Sequence, residues 1–167
     1  MLDLDRRRLL TLGAIVPLAA ALPAWAVKAA EGDTVAAAWD LTDIYPTDAA
    51  WDAARKQALA ALPGLAKYKG HLGDSAATLA EALTTQSDLA RTISRVFTYA
   101  SLKADEDVRV AVNQEHKSQA TDLYTAFGEA TAWIAPELIA VGKPKLDSFV
   151  AANPALRTKF DFYLANI

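Results

Sequence analysis

The chain has 167 residues, a formal net charge of −3, 53% hydrophobic residues and no cysteine. This length can bury one core of ordinary size, and the slightly acidic balance argues against nucleic-acid binding, which needs clustered lysine and arginine side chains to neutralise phosphates. Without cysteine, the stability of the chain has to come from core packing and not from disulfides.

The first 26 residues have the three parts of a bacterial export signal. They contain a basic start at Arg6, Arg7 and Arg8, an apolar run from Leu9 to Leu22, and the small-x-small sequence Ala24-Trp25-Ala26. We expect cleavage after Ala26, with Ala24 and Ala26 as the residues that signal peptidase recognises. An uncleaved anchor is the alternative, but the apolar run is shorter than the roughly 20 residues that span a bilayer.

The string DRRRLLTLG favours the twin-arginine export route over general secretion, because the pair Arg6 and Arg7 precedes a moderately apolar segment. Either route would deliver a periplasmic or extracellular protein that meets the membrane only through its signal. Removing residues 1–26 takes away three arginines and two aspartates, which leaves 14 basic and 18 acidic residues and a formal charge of −4.

Residues 27–38 carry alanine, glycine and aspartate without a period and predict a flexible linker. One helical lobe is expected from residue 39 to residue 167. Its apolar lead-in residues are Trp39, Leu41, Ile44 and Tyr45. They predict an extended segment that aromatic burial holds against the lobe.

The first helix is expected to begin at Thr47 or Asp48, either of which can cap it. One face carries apolar residues at spacings of three and four, namely Trp51, Ala54, Ala58, Leu62 and Leu65. The pair Pro63-Gly64 should kink or split this helix. The segment HLGDS, residues 71–75, then predicts a turn with Asp74 or Ser75 as the next cap.

Two long helices follow in the predicted order. The second helix is predicted from Ala76 to about Lys103, and the third from about Asp107 to Ile134. Their apolar stripes are Leu79, Leu83, Leu89, Ile93, Val96, Phe97 and Ala100 on the second helix and Val112, Leu123, Phe127, Ala130 and Ile134 on the third. The short KADED turn between them predicts an antiparallel helical hairpin.

Shorter helices should complete the lobe. One begins at Pro136, a second runs from Lys143 to about Ala152, and a last one begins at Ala155 and carries an apolar face of Leu156, Phe160, Tyr163, Leu164 and Ile167. No strand run or repeat is visible. The predicted fold class is therefore all-α, an antiparallel helical hairpin or bundle built on two long helices plus shorter flanking helices. Because no cap or polar tail follows the last face, we expect a truncation before a further domain, which leaves that face exposed.

Few residues suggest catalysis. His116 continues the apolar stripe of the third helix and predicts a hydrogen-bonded core or boundary residue, whereas His71 lies in a turn. The acidic residues 105–107 lack the ligand spacing of a calcium loop and predict a charged turn in which one carboxylate caps the third helix. No nucleophile elbow and no phosphate-binding glycine loop occurs. The sequence therefore supports no catalytic residue and no metal ligand.

Four segments carry a resemblance to a known family: WDLTDIYP from Trp39, KGHLGDSAATL from Lys69, YASLKADED from Tyr99 and WIAPEL from Trp133. Through them the chain from Trp39 onwards resembles the amino-terminal region of oligoendopeptidase F, a family of thimet-type zinc metallopeptidases that hydrolyse oligopeptides. The resemblance implies a helical lobe that precedes the catalytic domain and covers a deep cleft. Such a lobe would admit oligopeptide substrates and exclude folded proteins.

The zinc motif of such enzymes, His-Glu-x-x-His, is missing from these 167 residues. In that motif two histidines one helical turn apart reach one Zn²⁺, and the glutamate between them serves as general base. The resemblance therefore implies that zinc and its ligands belong to a carboxyl-terminal catalytic domain, and that this chain alone is inactive.

Two alternatives remain open. The first is a free-standing periplasmic helical module that binds a protein or a peptide without chemistry. The second is a separate polypeptide that supplies the catalytic domain. A last helix buried within the chain would favour the module, and an exposed one would favour the fragment.

Overall fold

A computed structural model describes residues 38–167, which contain helices and no strand. The predicted all-α class is therefore confirmed for this part of the chain. The helices are α1 (Asp48–Ala61), a 3-10 helix (Leu62–Tyr68), α2 (Ala76–Glu106), α3 (Ala111–Thr131), α4 (Ile134–Val141), α5 (Lys143–Ala152), α6 (Pro154–Lys159) and α7 (Asp161–Ala165). The predicted signal peptide, with Arg6, Arg7, Ala24 and Ala26, lies outside the described residues, as does the linker up to residue 37.

The first helix begins and ends where local rules place its limits. The Thr47 hydroxyl accepts a hydrogen bond from the backbone N–H of Ala50 at 3.1 Å and caps α1. After Ala61 the backbone tightens into the 3-10 helix, which carries Pro63 in its first turn. The predicted split at Pro63-Gly64 is thus confirmed.

The two long helices form the predicted hairpin, with shifted ends. The Ser75 hydroxyl caps α2 by accepting from the N–H of Thr78 at 3.0 Å. This helix runs on to Glu106, past the predicted end near Lys103, and α3 begins at Ala111 instead of near Asp107. Near the connection, the side-chain amide of Asn113 donates to the backbone oxygen of Lys103 at 3.1 Å, which ties the two helices together.

Two apolar clusters form the core, and α2 contributes to both. The Trp51 cluster joins α1, the second half of α2 and α3 through Trp51, Ile93, Val96, Tyr99, Ala100, Ala120 and Leu123. The Leu72 cluster joins the first half of α2 to the later helices through Leu72, Leu79, Leu83, Leu138, Leu146, Leu156 and Leu164. Within residues 38–167 no helix is long and apolar enough to cross a membrane.

The last segment differs from its prediction. It forms two short helices, α6 and α7, and its leucines Leu156 and Leu164 are 0% and 3% exposed within the Leu72 cluster. The expected exposure is therefore wrong for Leu156 and Leu164, whereas Tyr163 of the same face is 40% exposed. The segment folds back on the start of α2, where the Asn153 amide donates to the backbone oxygen of Ala76 at 3.3 Å, so the leucines find partners inside the chain.

Two apolar residues predicted to be buried lie at the surface. Trp39 is 60% exposed, and the lead-in is held instead by the buried Leu41, whose backbone oxygen accepts from the N–H groups of Ile44 and Tyr45 in a turn. Val112 is 49% exposed because it lies in the first turn of α3, where the neighbouring Asn113 takes the buried position.

Candidate functional site

The four segments that carry the resemblance meet in pairs at two junctions. At the first, the amino-terminal junction, Tyr45 packs on Tyr99 with the ring centroids 5.6 Å apart, and Asp48, two residues after the first segment, contacts Tyr99 and Lys103. At the second, the loop junction, Glu137 contacts the backbone of Gly70 and Leu72. The segments are far apart in the sequence, and the fold brings them together.

The amino-terminal junction is a hydrogen-bonded group of three side chains. The Asp48 carboxylate accepts from the Tyr99 hydroxyl at 2.7 Å and from the Lys103 ammonium at 2.6 Å. Tyr99 and Lys103 lie four residues apart on α2, so both reach the same side of that helix. Asp48 is the first residue of α1, where a negative charge also suits the helix dipole. The junction therefore attaches the start of α1 to α2.

The pKa shifts at this junction favour its paired, charged form. The hydrogen bond from Lys103, followed by that from Tyr99, lowers the pKa of Asp48, and the same contact with Asp48 raises the pKa of Lys103. Burial, and then the nearby Asp48, raises the pKa of Tyr99. A general acid or base works best with a pKa near the working pH, and these three shifts all lead away from neutrality. The junction is suited to holding the fold together.

His116 lies next to the amino-terminal junction at the edge of the core. Its ring packs on the Trp51 indole, with the ring centroids 4.5 Å apart, and Trp51 is fully buried with its Nε1 donating to the backbone oxygen of Val96 at 2.9 Å. The predicted boundary position of His116 is confirmed. Its Nδ1 is buried and makes no hydrogen bond within residues 38–167, so the predicted hydrogen bond is missing at that atom.

The acidic turn between α2 and α3 is charged as predicted, but it does not cap α3. The residue before α3 is Val110, which makes no side-chain cap. The Asp107 carboxylate instead accepts from the backbone N–H of Arg109 at 2.9 Å and pairs with the Arg109 guanidinium at 2.8 Å. These two contacts lower the pKa of Asp107 to about 2. The predicted cap is wrong because Asp107 lies too far before Ala111 and is used to close the turn.

The loop junction places one carboxylate on two backbone N–H groups. Glu137, in the first turn of α4, accepts from Gly70 and from Leu72, both at 2.8 Å. Gly70 has a φ of 83°, a conformation that side chains disfavour and glycine adopts freely. His71 lies exposed in this loop, where its Nδ1 is 2.7 Å from the Asp74 carboxylate. Its predicted place in a turn is confirmed.

The described residues do not fit a zinc site. Between residues 38 and 167, no three histidine, aspartate or glutamate side chains come close enough together to hold a metal ion. His71 has a single carboxylate neighbour, and His116 packs on an indole ring. A catalytic zinc normally has three protein ligands.

Sequence reasoning missed both junctions. The spacing of Tyr99 and Lys103 could have marked a polar pair on α2, but nothing local indicates Asp48 as their partner. Glu137 was visible only as part of the WIAPEL segment. At both junctions, residues of the four segments contact one another across the fold. We infer that these segments hold the helices together.

A pH-dependent contribution to stability is expected from Asp48. Because its pKa is lower in the folded than in the unfolded chain, the contribution is present above the unfolded pKa of about 3.9 and is lost as the pH falls through the folded pKa. The difference in unfolding free energy between the wild type and Asp48→Asn should therefore be largest near neutral pH. Denaturant unfolding from pH 7 down to about pH 2 measures it.

The control for this prediction is Asp43→Asn. Asp43 is exposed and makes no ion pair within the described part of the chain, so its substitution should give a small difference at every pH. A difference for Asp48→Asn that does not shrink towards low pH would contradict the assignment of the charged junction.

Comparison with known proteins identifies relatives over most of the chain. No family model and no solved structure matches it. It is 37% identical over 119 residues to oligopeptidase PepF of Bacillus subtilis, which covers 71% of this chain. It is 35% identical over 129 residues to group B oligopeptidase PepB of Streptococcus agalactiae, covering 77%, and 38% identical over 106 residues to the plasmid oligoendopeptidase F of Lactococcus lactis, covering 63%.

The matched region is a limited part of each relative. It covers 18% of PepF, 21% of PepB and 18% of the Lactococcus lactis protein, so the chain spans about a fifth of the length of these relatives. The resemblance drawn from the four segments is confirmed. The chain is therefore similar to a limited region of proteins named oligopeptidase PepF and oligoendopeptidase F.

Proposed function

We propose that this chain is the amino-terminal helical lobe of an exported oligoendopeptidase F-like zinc metallopeptidase that hydrolyses oligopeptides. The observation that supports the proposal is the identity of 35% to 38% to proteins named oligopeptidase or oligoendopeptidase. The lobe would shape the access of peptides to the catalytic cleft, and its partner would be the catalytic domain.

In this proposal the zinc ion, its ligands and the general base lie in the catalytic domain, which these 167 residues do not include. The absence of a His-Glu-x-x-His motif from the sequence supports that division. The side chains of the lobe would act in packing and in peptide access.

The proposal predicts that the chain alone does not hydrolyse oligopeptides. Purified chain supplied with Zn²⁺ should release no product from a fluorogenic oligopeptide, whereas PepF of Bacillus subtilis serves as the positive control. Turnover that a chelator abolishes, and that is lost in the double variant His71→Ala and His116→Ala, would contradict the proposal. Turnover unchanged in that variant would indicate a contaminating peptidase.

Export forms a separate part of the proposal. The basic start with Arg6 and Arg7, the apolar run and the Ala24-x-Ala26 sequence support it. The mature protein recovered from the periplasm or the medium should begin at Val27. Replacing both Arg6 and Arg7 by lysine should block export by the twin-arginine route, whereas general secretion would tolerate the change. A protein that keeps residues 1–26 would contradict cleavage.

A free-standing peptide- or protein-binding module is the second candidate, and one observation favours it. Leu156 and Leu164 are buried against the chain's own helices, as expected for a self-contained bundle. Under this reading the purified chain binds its ligand without any catalytic partner. Co-purification with a protein that contains His-Glu-x-x-His would instead indicate a catalytic domain on a separate polypeptide.

A further inference from the structure

An open groove runs along α2 beside the last helices. Its floor is a stripe of α2 residues at spacings of three and four, formed by Leu83, Gln86, Ser87 and Ala90. Phe127 of α3 forms one wall, and Phe160 and Tyr163 form the other. This aromatic recess encloses about 240 Å³, and Tyr163 is 40% exposed at its mouth.

A second, polar recess of about 360 Å³ adjoins the aromatic one and shares Ser87 and Phe160 with it. Its charged residues are Asp88, Arg91 and Lys159. The Arg91 guanidinium is 3.4 Å from the Asp88 carboxylate, and both side chains are largely exposed. Lys159 makes no ion pair among residues 38–167, so the recess retains one uncompensated positive charge.

We propose that this groove binds the carboxyl-terminal end of an oligopeptide whose last residue is aromatic. The last side chain would enter the aromatic recess, and the terminal carboxylate would face Arg91 and Lys159. In such a residue the side chain and the carboxylate branch from one Cα, which matches two recesses that share a wall. The proposal deepens the proposed function, on which it rests, by naming the peptide feature that the lobe recognises.

Other peptide segments match the groove less well. An internal aromatic residue has no free carboxylate to balance the positive charge of the polar recess. An acidic side chain supplies a carboxylate but leaves the aromatic walls without an apolar partner. Ser87 borders both recesses and Gln86 borders the aromatic one, so both side chains can bond the last peptide group.

Both recesses are open, so the affinity should be modest. We expect a dissociation constant of about 0.1 to 1 mM for the peptide Ala-Ala-Ala-Phe. Amidation of its carboxyl terminus should weaken binding about three- to fivefold, because exposed charge pairs contribute little each. Replacing the final phenylalanine by alanine should weaken binding about tenfold.

The test is a titration of the full chain, followed by chemical shifts of its amide signals. Ala-Ala-Ala-Phe should shift the signals of groove residues such as Ser87, Ala90 and Phe160. Tyr163→Ala should weaken binding about fivefold or more. In the double variant Arg91→Gln with Lys159→Gln, the acid and the amide should bind equally.

Two neighbouring residues outside the groove provide matched controls. Phe162 is 83% exposed and adjoins Tyr163, and Arg157 is an exposed cation near Lys159. Phe162→Ala and Arg157→Gln should leave the dissociation constant unchanged. Acid and amide forms that bind the wild type equally, or shifts that avoid the groove, would overturn the proposal. The absence of binding at peptide concentrations up to about 10 mM would also overturn the proposal. That result would not affect the proposed function, which the hydrolysis assay tests separately.

Discussion

Replacing Trp51 by alanine is expected to lower the free energy of unfolding by about 3 to 5 kcal/mol. Trp51 is fully buried in the Trp51 cluster, and its ring packs on those of Tyr99 and His116. The substitution removes these contacts and the hydrogen bond to the backbone oxygen of Val96, and it leaves a cavity between α1 and α2. Denaturant unfolding of the full chain, followed by circular dichroism, measures the change.

Two variants separate the causes of this loss. Trp51→Phe keeps most of the ring contacts and removes the Nε1 hydrogen bond, so it should cost about 1 to 2 kcal/mol. Trp39→Ala removes a tryptophan that is 60% exposed and should cost less than about 0.5 kcal/mol. Equal losses for Trp51→Ala and Trp39→Ala would show that the attachment of α1 does not depend on the burial of Trp51.

Replacing Glu137 by alanine is expected to cost about 2 to 3 kcal/mol, because two backbone donors lose a charged acceptor at once. Those donors are the N–H groups of Gly70 and Leu72, each 2.8 Å from a different carboxylate oxygen. Hydrogen exchange gives a local readout. The amides of Gly70 and Leu72 should exchange faster in the variant, whereas the amides of α3 should change only with global stability.

The controls for Glu137 distinguish its hydrogen bonds from its charge. Glu137→Gln keeps one acceptor oxygen and should retain about half of the stabilisation. Glu129→Ala removes an exposed glutamate whose side chain makes no ion pair in the described part of the chain, and it should change stability by less than about 0.5 kcal/mol. Unchanged exchange at Gly70 and Leu72 in Glu137→Ala would contradict the loop junction.

Local chemistry was enough to predict the helices and several of their ends. The caps at Thr47 and Ser75 and the break at Pro63 depend on residues within one turn of the boundary. The predicted start of α3 near Asp107 is wrong because the same carboxylate can either cap a helix or close a turn. Here the Asp107 carboxylate bonds to the backbone and side chain of Arg109, which closes the turn.

Burial of the last segment could not be predicted in this way. The periodicity correctly placed Leu156 and Leu164 on one apolar face, but the partners of that face lie in the first half of α2 and in α4 and α5. The bond from Asn153 to Ala76 joins residues 77 positions apart. No pattern within the segment indicates such a distant partner. The absence of a cap after the last helix therefore led to the expectation that its apolar face is exposed.

The contacts at the two junctions could not be predicted from local sequence either. Asp48 is 51 positions from Tyr99, and Glu137 is 67 positions from Gly70. The resemblance marked all four segments as belonging together without saying what joins them. The contacts give these segments a role in packing the helices against one another.

The central claim is that this chain is a lobe that works only with a catalytic domain, and a chimera tests it most directly. In PepF of Bacillus subtilis the region that matches this chain would be replaced by residues 39–167, beside a control that lacks the region altogether. The account predicts that the chimera hydrolyses a fluorogenic oligopeptide and that the deletion does not. A folded chimera without hydrolysis, or a deletion as active as intact PepF, would contradict the account.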